Sequence, residues 1–143
     1  MNALANDKIT IDNLADAIGE RLTVYQSETA RKILGVTKST MKRFVKITKQ
    51  RAPRQHYNAN RKSKRQPGTF AKAIRSTVED NGITGSKGIW YVGGDEYRLT
   101  HLLVHGHQLR QGGRTKGNPF LDNSLDEISE EYIKGLEEAV KND

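Results

Sequence analysis

The chain contains no cysteine, which removes disulfides, thiolate metal sites and thiol nucleophiles, and leaves packing or assembly to supply stability. It also lacks any continuous apolar run near the roughly 18 residues that a membrane-spanning helix needs. The N-terminal MNALANDKITIDNL has none of the basic, apolar and small-residue sections of a secretory signal. A protein made in the cytoplasm, with no membrane partner, is expected. Apolar residues are scarce as well, at 34% of 143 residues, with a mean hydropathy of -0.76. That length and composition fit a single domain over 1–143 with one modest core and a large polar surface.

The most informative absence is of acid. No Asp or Glu occurs from Thr29 to Val78, and that stretch holds 15 of the 24 Lys and Arg. The remaining nine bases face all 17 acids, so the formal charge of +7 conceals a +15 segment beside a remainder of -8. From Phe120 onward eight acids accompany two lysines. A basic segment of this kind repels itself and gains by neutralising phosphates or an acidic neighbour. The acidic C-terminal end supplies one such neighbour, so charge complementarity between identical subunits is physically reasonable.

Apolar periodicity places helices at both ends. Ile11, Leu14, Ile18, Leu22, Tyr25, Thr29 and Ile33 recur at three- and four-residue steps on one stripe, with Thr10 or Asp12 as the cap and Gly35 as the place to end or bend. A second helix is expected over Ser39–Lys49, with Met41, Phe44, Val45 and Thr48 inward and Lys42, Arg43, Lys46 and Lys49 in solvent, before Pro53 stops it. The run APRQHYNANRKSKRQPGT reads as a mobile basic loop at about 50–69. Thr69 to Val78 alternates as a strand with Phe70, Lys72 and Ile74 on one face, and GIWYVG over Gly88–Gly93 is strongly β-prone. Asn81-Gly82 and Gly85-Ser86 make the two a hairpin. Tyr97, Leu99, Leu102, Leu103 and Val104 form a short helix or strand, followed by a polar surface run. Asn118-Pro119 signals a helix start, and Leu121, Leu125, Ile128, Tyr132, Leu136 and Val140 carry that helix to the end of the chain.

Catalytic patterns are missing. His101, His105 and His107 lie close together, but Asp95 and Glu96 precede the element that carries them, and imidazoles beside a turn more simply bond backbone or a neighbouring subunit. Neither GxGxxG nor GxxxxGK[ST] occurs, so the glycines are read as turns. No GxSxG elbow is present, and Glu130-Glu131 and Glu137-Glu138 are read as a solvated helix face. The reading is of no enzyme, no cofactor and no metal. The basic loop is different: Arg51, Arg54, Arg61, Lys62, Lys64 and Arg65 suit either sequence-independent phosphate contact or contact with another subunit. His56 and Tyr57 are too few rings for a single-strand stacking platform.

Gly68, Phe70, Ala73, Ile74 and Arg75, then Tyr97, Arg98, Leu99, His101, Leu102, Gly106 and His107, then Gly117, Pro119, Phe120 and Leu121 occur in an order that resembles the small head-to-tail connection proteins of long-tailed bacteriophages and prophages. The likeness covers about half the chain. It departs at Val104-His105, where such proteins often carry an acid. The resemblance implies an α+β fold: a long N-terminal helix, a small antiparallel sheet and a C-terminal helix packed on it. It also implies a structural virion component of the neck, made in the host cytoplasm. Such a protein forms a homo-oligomer ring (hexamer or dodecamer) between a head-completion or connector protein and a tail terminator or tail tube protein. The alternative from charge alone is a nonspecific nucleic-acid-binding protein using the basic segment 31–75.

Overall fold

In the computed structural model, residues 13–54 and 68–141 are described. Ile11, its capping candidates Thr10 and Asp12, and most of the basic loop lie outside them. The architecture is α+β: a long helix α1 (Leu14–Arg51), a single helical turn α2 (Thr69–Ala73), a two-stranded antiparallel sheet of β1 (Ile74–Asp80) and β2 (Ser86–Val92), a short helix α3 (Thr100–His105) and a C-terminal helix α4 (Phe120–Lys141).

The expected pair of helices in the first half is one continuous helix of 38 residues. Gly35 does not end it, because a glycine is tolerated inside a helix when its neighbours hold the backbone. Thr37 and Ser39, just after that point, return their hydroxyls to the carbonyls of Ile33 and Gly35. The stop at its far end is as expected. The Ala52 N–H closes the last turn on the Thr48 carbonyl at 2.8 Å, and Pro53 forbids continuation.

The expected strand over Thr69–Val78 begins late. Thr69–Ala73 is helical, opened by Gly68 at φ 83°, and the chain becomes extended only at Ile74. The turn wins there because it drives both Phe70 and Ala71 inward, which a strand's alternation forbids. The hairpin itself is present, with Ile74 opposite Val92 and Ser76 opposite Trp90. Gly82 at φ 60° and Gly85 at φ 118° make its connection, where the Asp80 carboxylate accepts the Gly82 N–H at 2.9 Å.

Two small cores result. Ile74, Val92, Phe70, Ala71, Ala52 and Phe120 form one, with Phe70 and Phe120 edge to face at 6.2 Å between ring centroids. Phe44, Ile47 and Ile128 form the other, joined by Met41, Trp90 and Leu121. α4 therefore runs along α1 while its first turns meet the sheet through Phe120, Leu121 and Ile128. The second half of α1 belongs to this body as fully as residues 69–141 do.

The stretch after β2 gives several of the chain's glycines a structural reason. A 3-10 turn (Gly94–Leu99) leads into α3, and Gly106 at φ 76° ends it. The chain then makes a miniature hairpin, with Gln108 bridged to Arg114 and Gly112 and Gly113 at its tip, and returns so that the Asn118 N–H reaches the Leu103 carbonyl at 2.9 Å. Here Gly117 crosses α3 so closely that a β-carbon on it would overlap the Val104 carbonyl. α4 begins at Phe120, one residue after the expected first position, with Asn123 N–H bonded to the Pro119 carbonyl at 3.0 Å.

Candidate interaction surface

The apolar stripe of α1 divides into two halves with different fates. From Ile33 onward it is covered: Thr37, Phe44 and Ile47 are buried, and Val36 meets α4 at Gly135. Before that point it is bare. Leu14, Ile18, Leu22 and Tyr25 are 44–55% exposed although they continue the same side of the helix. The reason is length. α4 runs antiparallel to α1 and reaches only as far as the Lys32 region, where Ala139 and Glu138 face it, so residues Leu14–Glu28 project past the body by roughly 20 Å.

A second uncovered apolar feature lies on the body. Between α1, α4 and β2 is a groove of about 550 Å³ lined by Met41, Phe44, Trp90, Leu121, Leu125 and Tyr132, with Lys87 and Asp122 at its rim. Its floor is fixed by polar bonds. The Trp90 Nε1–H donates to Thr48 Oγ1 at 3.0 Å, and the Tyr132 and Thr37 hydroxyls are paired at 2.9 Å.

The basic residues separate into two groups. Arg43 Nε donates to Glu131 at 2.6 Å and Arg51 Nη2 donates to Glu127 at 2.6 Å, so part of the expected charge complementarity is met within one chain, between α1 and α4. The hydrogen bond to Glu131, and then that residue's charge, raise the Arg43 guanidinium above its ordinary pKa. These pairs are half exposed, so they set the register of the two helices more than they stabilise it. The other group lies on the outer side of α1, with Arg31, Lys38, Lys42 and Lys46 exposed and Lys49 half-buried. Arg31, Lys38, Lys42, Lys46 and Lys49 follow one another at seven-, four-, four- and three-residue steps and share the side of α1 opposite Phe44 and Ile47. They form a cationic ridge roughly 27 Å long with no acid interleaved on the helix.

Of the basic residues singled out by sequence, Arg51 is thus held by α4, Arg54 is exposed just beyond Pro53, and Arg61, Lys62, Lys64 and Arg65 lie outside the described residues. The ridge was only half legible. The sequence places Lys42, Arg43, Lys46 and Lys49 in solvent, whereas Arg43 pairs with Glu131 and Lys49 is half-buried, and the alignment of the lysines with Arg31 and Lys38 depends on α1 running unbroken through Gly35. His101, His105 and His107 are all exposed. His107 Nδ1 is paired with the Thr115 hydroxyl at 3.1 Å, across the miniature hairpin. Among the described residues no group of three or more metal-ligating side chains comes together, and no helix is long and apolar enough to cross a membrane. Comparison with protein-family models, with curated proteins and with solved structures finds no match.

Proposed function

We propose that this chain is a non-catalytic virion component, a ring-forming tail-completion protein that joins head to tail in a long-tailed phage. The observation that carries the assembly part is the projecting half of α1, whose apolar stripe continues a buried seam into solvent. A monomer gains nothing from exposing Leu14, Ile18, Leu22 and Tyr25 in a row, and a contiguous apolar strip of this kind marks a protein interface. The neck assignment rests on the ordered residues from Tyr97 to Leu121. Their glycines fit that reading as a structural signature, since Gly106 and Gly117 are demanded by close backbone crossings rather than by chemistry.

Sedimentation and negative-stain microscopy of the purified chain, alone and mixed with connector or tail-tube proteins from the same genome, test the proposal. Closed rings, or rings formed only on such a partner, are the expected result. A chain that stays monomeric with every partner overturns it. The cationic ridge favours a second reading, sequence-independent contact with a polyanion such as DNA. The two are compatible where a ring surrounds a DNA passage.

A further inference from the structure

Among the described residues, the bare stripe of α1 and the apolar groove on the body are complementary in kind, one a ridge and the other a groove. They cannot meet within one chain: the ridge points away from the body along α1, and the groove flanks the other half of that same rigid helix. We infer that residues Leu14–Glu28 of one copy dock in the Met41–Trp90–Leu125 groove of a second copy, head to tail. This rests on the assembly reading above and specifies its contact.

The chemistry of the edges supports this occupant. Along one edge of the stripe stand Arg21 and Glu28, two helical turns apart, and the groove rim carries Asp122 and Lys87, again one of each sign. Arg21 against Asp122 and Glu28 against Lys87 set a single direction of entry, whereas reversed entry opposes like charges. The other edge of the stripe is Ala15 and Gly19, which add no bulk against the groove wall. Leu125, 48% exposed at the groove, gains cover from the same contact.

The contact is also heterologous: each copy offers a ridge to one neighbour and a groove to the other, which closes into a ring when the rotation allows. Covering four half-exposed side chains removes on the order of 400 Å² per partner, against roughly 800 Å² for a stable pair. A single contact is therefore weak, and closure, which makes the last contact intramolecular, supplies the stability. Assembly should be steeply cooperative in concentration, without a long-lived dimer.

The absence of native cysteine makes the test clean. Full-length Ile18→Cys and Leu125→Cys chains are mixed and treated with a short bis-maleimide. The expected product is a mixed crosslink, with little from either chain alone. Ile18→Asp/Leu22→Asp should shift assembly to at least tenfold higher concentration with a nearly unchanged thermal melt, because those side chains belong to neither core of the monomer. Arg21→Glu should weaken assembly, and Arg21→Glu/Asp122→Arg should restore it. Crosslinking of Ile18→Cys chains to one another, which reports two-fold pairing of the projecting helices, overturns the inference. So do oligomers that survive the double aspartate change. Rings in which the mixed pair stays unlinked overturn this docking and leave the assembly role standing. A chain that neither crosslinks nor assembles, alone or with virion partners, overturns both.

Discussion

Thr48 has no exposed surface, and its hydroxyl ties helix α1 to strand β2. It donates within α1, lying 2.8 Å from the Phe44 carbonyl, and accepts the Trp90 indole N–H at 3.0 Å. Thr48→Val preserves shape but leaves that N–H unpaired over the second core, which should destabilise the protein by about 1–3 kcal/mol. Denaturation followed by the fluorescence of Trp90, the single tryptophan, reads the change directly. Gly117 is constrained more severely, since a β-carbon there meets backbone rather than a movable side chain. Gly117→Ala should lower the melting midpoint by the equivalent of about 1–3 kcal/mol, as overpacking does, while leaving α1 intact by circular dichroism. Neither role is readable from composition. Thr48 shows as a member of an apolar face, and Gly117 as one more turn residue, because both depend on which distant backbone passes by.

Helix α1 is the element whose behaviour the sequence half discloses. Its stripe at three- and four-residue steps is plain, as is the halt before Pro53, yet Gly35 reads equally well as a terminus or as a passenger. What decides is tertiary. α4 lies across the Gly35 region, with Gly135 admitting Val36 at the closest approach, so residues on both sides are held in helical geometry together. Gly35 itself has open space at its β-carbon and an ordinary backbone angle. Gly35→Ala should then stabilise the folded state by roughly 0.5–1 kcal/mol through the loss of unfolded-chain freedom, measurable as a raised denaturant midpoint at unchanged slope. A fall in stability would indicate that α1 bends there. At Thr69–Ala73 the opposite failure of pattern reading occurs. The period-2 alternation of Phe70, Lys72 and Ile74 is real, but burial of the adjacent Phe70 and Ala71 requires a helical turn, and only the presence of Phe120 against them reveals it.

At the scale of the whole molecule the segregation of charge seen in the sequence becomes a spatial one. Glu127 and Glu131 of α4 absorb Arg43 and Arg51, leaving Arg31, Lys38, Lys42, Lys46 and Lys49 as a straight cationic edge on the far side of α1. A straight helix lays its charges along a phosphate backbone without choosing bases, so binding to duplex DNA should be insensitive to sequence and sharply weakened by salt. If the four lysines each neutralise one phosphate, they contribute about -3.6 to the slope of log affinity against log salt, at roughly -0.9 per contact. Replacing Lys38, Lys42, Lys46 and Lys49 together by Gln should remove that part of the slope and leave the fold unchanged, since none of them enters either core. Replacing Arg61, Lys62, Lys64 and Arg65 by Gln provides the matched comparison. If the changes at 61–65 flatten the salt dependence and the ridge changes do not, the polyanion is met by those residues and the ridge is only a solvated face. If each set removes part of the slope, both the ridge and residues 61–65 meet the DNA. Titrations at several salt concentrations, read by fluorescence anisotropy of a labelled duplex, distinguish these outcomes.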